Sequence, residues 1–135
     1  MTDNHRIFVF GSNMRGRHGK GAALHAVKNY GAIEGRYFGL QNRAYAIPTK
    51  GHLLQTLPLS VIQRWVGYFV KDVLLGPTKL EYNVTQIGCG LAGYKAHEIA
   101  PMFLDLSQDK DSPVYFDRAW NTFLGINAKF WDPPI

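Results

Sequence analysis

Apolar and polar positions along the chain alternate in blocks that predict strands followed by helices. Residues 6–10 form a run that is apolar after Arg6 and stops at Gly11, which indicates a strand buried on both faces. Residues 22–30 are helix formers, and Gly31 follows them at a position that suits a helix C-terminus. The first elements are therefore expected to be a strand, a glycine-rich loop and a helix.

The strongest helical periodicity lies in residues 60–75. Ser60 and Gln63 have the spacing of a capping box, and Gly76 and Pro77 are expected to end the helix. The polar side chains fall on one side and the apolar ones on the other. The apolar side consists of Ile62, Trp65, Val66, Phe69 and Val73.

The other segments continue this order of strands and helices. Residues 36–40 and 44–48 suggest two short strands, which are either a hairpin or neighbours in a sheet. Pro101 would have to lie in the first turn of its helix. Further strands are expected at residues 80–87 and 114–116, and further helices at residues 96–104 and 118–124. This alternation predicts an α/β domain with a mainly parallel sheet.

Composition favours one domain, residues 1–135, because the 135 residues are 46% apolar and too few for two separate cores. The single cysteine, Cys89, excludes an intramolecular disulfide and argues against a structural zinc site. No two histidines have the helical spacing of a metal site, so neither a metal nor a cofactor is expected. No apolar stretch approaches the ~20 residues of a membrane span. The sequence thus predicts a cytoplasmic protein without a membrane partner.

Basic residues are concentrated in the first part of the chain. Residues 1–50 hold eight Lys and Arg against two acids, whereas residues 51–135 hold seven against eight. A local positive field favours an anionic partner, which is a nucleotide, a polynucleotide or an acidic protein. A solvated basic surface gives the same pattern.

Two glycine-rich loops follow the ends of predicted strands. The first spans residues 11–21 and the second spans residues 88–94. Ligands of open α/β sheets bind beyond the carboxyl ends of the strands, and glycines let backbone N–H groups approach a phosphate closely. Two such loops facing one cleft therefore predict a site for a pyrophosphate.

The first loop also carries the candidate catalytic residues, Asn13 and His18. Both can hydrogen-bond a ribose hydroxyl or a reacting water, and a neutral imidazole can act as a general base. Cys89 lies between two glycines of the second loop. For Cys89, a small residue in a tight turn is a simpler interpretation than a nucleophile.

Five short motifs follow one another along residues 7–104. They are Gly11-Ser12-Asn13, residues 16–23, Ala46-Ile47-Pro48-Thr49, residues 87–94 and Ile99-Ala100-Pro101. In this order and spacing they resemble the macro domain superfamily of ADP-ribose-binding modules, and most closely its short macro-like branch in bacteria and phages.

The resemblance implies a three-layer α/β/α fold that holds ADP-ribose or a related NAD-derived nucleotide. Asn13 would contact the distal ribose, Tyr94 would pack on a ribose, and the glycines would wrap the pyrophosphate. The implied ligand-binding residues are Gly11, Ser12, Asn13, Gly16, Gly19, Gly21, Ala22, Gly88, Cys89, Gly90, Leu91, Ala92, Gly93 and Tyr94. Macro domains usually have an acidic residue before the first strand, where this chain has His5 and Arg6, so the base is left open.

Three functions stay open on the sequence alone. The first adds hydrolysis of an ADP-ribosyl bond or a terminal phosphate to nucleotide binding, and the second is sequestration of a nucleotide without turnover. The third is binding of single-stranded nucleic acid, suggested by basic residues interspersed with Tyr30, Tyr37, Phe38 and Tyr45. These aromatics fall on apolar positions as often as on polar ones, so nucleic acid is the less favoured partner. The sequence does not indicate an oligomeric state.

Overall fold

The computed structural model describes residues 5–77 and 79–134, and six of its strands form one sheet. The strands are β1 (Ile7–Asn13), β2 (Gly39–Gln41), β3 (Ala44–Lys50), β4 (Tyr82–Val84), β5 (Val114–Asp117) and β6 (Lys129–Trp131). Their spatial order is β2-β3-β1-β4-β5-β6. Strand β2 is antiparallel to β3, and all other neighbouring strands are parallel.

Helices cover both faces of the sheet. They are α1 (Gly21–Tyr30), α2 (Leu59–Leu75), α3 (Ala96–Ile99) and α4 (Leu104–Ser107), with 3₁₀ segments at Ala100–Phe103 and Arg118–Phe123. Helix α1 packs in one apolar cluster, whereas α2, α3, α4 and both 3₁₀ segments contribute to another. The fold is therefore an α/β fold in three layers, as expected.

Strand β1 lies at the centre of the sheet and is buried on both faces, as its apolar run predicts. Ile7 and Val9 point to the cluster that contains α2, whereas Phe8 and Phe10 point to the cluster that contains α1. All four side chains are buried. Consecutive apolar residues are required here because successive side chains of a strand face opposite layers.

The chain reverses its direction of travel across the sheet at β1. From β1 it passes through α1 to reach β3 on one side, and from β3 it passes through α2 to reach β4 on the other side. Right-handed crossovers in opposite directions place α1 and α2 on opposite faces. The carboxyl ends of β1, β3 and β4 consequently meet at a topological switch point, where open α/β sheets bind ligands.

Strand boundaries differ from the expected ones at several places, and the strand expected at residues 80–87 is confined to β4, Tyr82–Val84. Strand β1 continues to Asn13 because Gly11 and Ser12 pair with β3, so the first loop begins at Met14. The first strand of the pair after α1 begins at Gly39 rather than at residue 36. The two strands form an antiparallel hairpin, one of the two expected arrangements, and its turn contains Asn42 with φ of 56°.

Helix boundaries also differ from the expected ones. The capping box at Ser60 is wrong, because α2 begins one residue earlier and Pro58 is its N-cap, without a side-chain hydrogen bond. The expected helix over residues 96–104 is broken into α3, a 3₁₀ turn and α4, because Pro101 lacks a backbone N–H and sits near the start of the 3₁₀ turn. The expected helix at residues 118–124 is a 3₁₀ segment, and β6 was not predicted.

None of the helices in residues 5–77 and 79–134 combines the length and apolar character that a membrane span requires.

Candidate functional site

The two glycine-rich loops meet at the carboxyl edge of the sheet. A Cβ built on Gly11 would lie 3.7 Å from the backbone nitrogen of Gly88, and 3.5 Å from the side chain of Thr49. The backbone N–H and the hydroxyl of Thr85 donate to the Val9 carbonyl over 3.1 and 2.7 Å. The end of β1 and the loop after β4 are thus held side by side, as the sequence predicts.

Asn13 closes the first loop on itself. Its Nδ2 donates to the Arg17 carbonyl over 2.9 Å, and its Oδ1 accepts from the Arg17 backbone N–H over 3.1 Å. The amide that was expected to contact a ribose is therefore engaged in the fold of its own loop. Its role in this conformation is to set the shape of residues 14–17.

His18 lies beneath the first loop and not on its surface. The side chain is 1% exposed, and its ring packs edge-on against Phe10 with centroids 5.3 Å apart. Nε2 lies 3.1 Å from the Arg36 carbonyl oxygen, which can only accept, so this nitrogen carries the proton. Nδ1 is buried and has no hydrogen-bond partner within the described part of the chain. Action as a general base on a ligand in the cleft would require the loop to rearrange.

Three of the expected ligand-binding residues have a clear role in the fold. Ser12 is buried, and its hydroxyl donates to the Tyr37 carbonyl over 2.5 Å. Gly16 has φ of +76°, and a Cβ there would lie 2.6 Å from the backbone of Gly35. Gly88 has φ of +74°, and its Cβ would lie 3.0 Å from Cδ1 of Ile99. Packing and backbone conformation account for these residues without a ligand.

Gly19 and Gly90 differ from those glycines. Neither has a left-handed φ, and a Cβ built on either would have no neighbour within 4 Å. Gly21 and Gly93 also face open space, but their φ angles of +58° and +86° favour glycine in any case. The fold therefore gives no reason for glycine at positions 19 and 90.

The second loop is built from tight turns and anchored at its far end. The Gly93 N–H donates to the Gly90 carbonyl over 3.0 Å, and the Tyr94 N–H donates to the Gly88 carbonyl over 2.9 Å. The Tyr94 hydroxyl donates to the Leu57 carbonyl over 2.6 Å. Tyr94, which was expected to pack on a ribose, thus fastens the loop to the segment before α2. Leu91 at the tip of the loop is 66% exposed.

Both loops present backbone N–H groups without acceptors. Within residues 5–77 and 79–134, the N–H groups of residues 19–23 and 90–92 donate no hydrogen bond to the protein. Residues 19–23 lead into α1, whose N-cap Lys20 makes no side-chain cap and whose first turn holds no acidic residue. Such runs of N–H groups at a helix N-terminus attract anions.

Exposed cations surround the first of these runs. Arg15, Arg17 and Lys20 are exposed along the first loop. Their positive charge adds to that of the helix N-terminus, so this edge of the sheet favours a negatively charged ligand.

Cys89 is half-buried, and its Sγ donates to the Ile87 carbonyl over 3.5 Å. Burial raises the pKa of this thiol, which disfavours the thiolate. This environment agrees with a small residue in a turn rather than a nucleophile. In the described ranges, no group of three or more His, Cys, Asp and Glu side chains is placed to hold a metal ion.

The aromatic residues named for nucleic-acid stacking pack mainly against the fold. Tyr45 is 2% exposed, and Tyr30 stacks on Phe8 with ring centroids 4.6 Å apart. Phe38 is half-buried and packs against Trp65. A row of exposed rings, on which successive bases would stack, is not formed by these residues.

Thr49 and Thr56 lie at the junction of the loops, although neither is among the site residues that the sequence predicts. Thr49 lies beside both Gly11 and Gly88, and its hydroxyl donates to the Ser12 carbonyl over 3.3 Å. Thr56 donates to the Ala92 carbonyl over 3.1 Å. Thr49 belongs to the motif at residues 46–49, which was the available signal for it, whereas no sequence pattern distinguishes Thr56.

The comparisons with known proteins support the fold and carry no function. No protein-family model matches the chain, and a search of curated proteins gives no match. A solved structure from Bacteroides thetaiotaomicron, of a protein of unknown function, is similar to the chain with a TM-score of 0.57 and 17% sequence identity. The similarity covers 82% of this chain and 87% of that one. At this identity, the similarity establishes a shared fold.

Proposed function

We propose that the chain is a macro-like module that binds ADP-ribose or a related NAD-derived nucleotide between its two glycine-rich loops. The observation that carries the proposal is the pair of backbone N–H runs, residues 19–23 and 90–92, on adjacent loops. A pyrophosphate offers acceptor oxygens to both runs at once, and its negative charge suits the exposed cations of the first loop.

Gly19 and Gly90 support this proposal. A Cβ at either position would have no neighbour within 4 Å, yet both are glycine. Close approach of a ligand to the backbone accounts for glycine where neither φ nor packing does. Gly67 on α2 has the same open surroundings, so Gly19 and Gly90 support the proposal because they also lie in the two N–H runs.

Binding is favoured over hydrolysis by the state of the two candidate catalytic residues. The Asn13 amide bonds to Arg17, and the His18 ring is buried against Phe10. A module that sequesters a nucleotide needs neither side chain to reach the ligand. The proposal accordingly describes a binding module located in the cytoplasm.

Calorimetric titration of ADP-ribose into the wild type, Gly90→Val and Gly67→Val tests the proposal. Gly67 lies on the exposed side of α2 and, like Gly90, has no neighbour within 4 Å of a built Cβ. Gly90→Val is expected to abolish binding without unfolding the domain, because a branched side chain blocks the backbone from a phosphate. Gly67→Val is the matched control and is expected to bind as the wild type does.

The same protein should respond to ligand in thermal unfolding. ADP-ribose at 100 times its dissociation constant stabilises the fold by about 2.7 kcal/mol. Binding with a shallow salt dependence supports a nucleotide site, whereas tight binding of a single-stranded oligonucleotide that weakens steeply with salt supports the nucleic-acid alternative. Wild-type affinity for ADP-ribose in folded Gly90→Val would remove the second loop from the site.

A further inference from the structure

A cavity of about 250 Å³ lies at the amino edge of the sheet, opposite the glycine-rich loops. It is enclosed by the end of α2 and by the beginnings of β3 and β4. Its walls are mostly apolar, and its lining residues are Leu40, Tyr45, Asp72, Leu75, Gly76, Pro77, Leu80 and Tyr82. Because ligand sites for drug-sized molecules are typically about 300–1,000 Å³, this cavity suits a smaller molecule with a single ring.

Polar groups of the cavity converge on Asp72. The Tyr45 hydroxyl donates to Oδ2 of Asp72. Burial, followed by the negative charge of Asp72, raises the pKa of Tyr82. Tyr82 is 4% exposed and lines the same cavity. One oxygen of the Asp72 carboxylate accepts from Tyr45, and the other is left to bond a ligand.

The carboxylate has no cationic partner in the fold. The ion pairs of the described residues join Arg6 to Glu81 and Arg118 to Asp132, and Asp72 belongs to neither. A carboxylate beside apolar walls and two phenols is complementary to a positive charge on an apolar body. Two leucines at the mouth of the cavity, Leu40 and Leu75, are 44% and 76% exposed, which extends the apolar surface that such a body would cover.

We propose that this cavity binds a small primary amine with an aromatic or aliphatic body, with the ammonium group on Asp72. The apolar body lies against Leu75 and Leu80. This site is separate from the proposed nucleotide cleft and does not rest on it.

Methyl NMR of the wild type tests the proposal with three probes that share a phenyl ring on a short chain and differ in the polar end group. The probes are 2-phenylethylamine, 2-phenylethanol and 3-phenylpropanoate, and the reporters are the methyl groups of Leu40, Leu75 and Leu80. The amine is expected to shift these signals saturably and to bind about two- to fivefold more tightly than the alcohol, because an ion pair at the solvent-exposed Asp72 adds roughly that factor. The carboxylate probe is expected not to bind.

Asp72→Asn keeps the shape of the side chain and an acceptor for Tyr45, and it is expected to reduce amine affinity to that of the alcohol. Asp105→Asn, on the exposed side of α4, is the matched control.

ADP-ribose binding should be unchanged in Asp72→Asn, so failure of the amine proposal and failure of the nucleotide proposal are distinguishable. Equal binding of amine and alcohol, no shift of the leucine methyl groups, or undiminished amine binding in folded Asp72→Asn would each overturn the proposal. If Asp72→Asn does not fold, the probe comparison on the wild type decides alone.

Discussion

The backbone nitrogen of Gly88 lies 3.7 Å from the point where a Cβ of Gly11 would stand. These residues are far apart in the sequence, and the parallel pairing of β1 with β4 brings them together. A larger side chain at position 11 would push against both Thr49 and the second loop. The sheet thus fixes the distance between the end of β1 and the loop after β4.

Gly16→Ala should destabilise the fold much more than Gly90→Ala. A Cβ at position 16 would lie 2.6 Å from Gly35 backbone atoms, and φ is +76°. Left-handed conformation and overpacking together cost about 2–4 kcal/mol. Urea unfolding of the two variants measures the difference, and equal stability would mean that the Gly16–Gly35 contact is not tight.

Asn13→Ala should weaken ADP-ribose binding by loosening the first loop. The variant loses both hydrogen bonds to Arg17, each worth about 0.5–1.5 kcal/mol, so the loop must be ordered again when the ligand binds. We expect roughly tenfold lower affinity by calorimetry. Unchanged affinity in Asn13→Ala would show that the loop keeps its shape without the amide.

The sequence predicted the layers of the fold better than its edges. Strand β1, α1 and α2 carry strong apolar patterns, and the structure confirms all three. Strand β6 has only Phe130 and Trp131 as an apolar signal. Its place in the sheet depends on distant contacts, since the Trp131 indole donates to the Val84 carbonyl over 3.0 Å. No local pattern carries that information.

In the candidate site, too, some features follow from local sequence patterns and others depend on distant contacts. Glycine-rich loops at strand ends are a local signal, and their meeting follows from parallel topology. Whether a polar residue of such a loop faces the ligand or the core depends on packing that the sequence does not display. His18 is an example, because its buried position is set by Phe10, by the Glu34 side chain that accepts its backbone N–H, and by the Arg36 carbonyl.

His18→Ala is expected to lower stability rather than to remove a catalytic group. Deleting a ring that is 1% exposed leaves a cavity against Phe10 and removes the donor to the Arg36 carbonyl, at a cost of about 2–4 kcal/mol. Thermal unfolding measures this cost. Release of ADP-ribose or phosphate from candidate substrates is followed in parallel at a temperature where both proteins are folded. A loss of turnover by 10²–10⁴-fold in folded His18→Ala, the range typical of a lost acid or base, would restore the catalytic interpretation.

Stability at alkaline pH should depend on Tyr45. Burial, followed by the hydrogen bond to Asp72 and the charge of that carboxylate, raises the pKa of this phenol far above its ordinary value. The folded state therefore favours the protonated phenol. The corresponding stability is fully present below the ordinary tyrosine pKa of about 10, and it is lost as the pH rises above that value. Above it, each such phenol lowers the free energy of unfolding by about 1.4 kcal/mol per pH unit. Urea unfolding between pH 8 and 11 should show a shallower loss of stability in Tyr45→Phe than in the wild type. Tyr68 is half-exposed, so Tyr68→Phe serves as the control for removal of a phenol. Parallel stability curves for wild type and Tyr45→Phe would mean that Tyr45 does not stay protonated in the folded state.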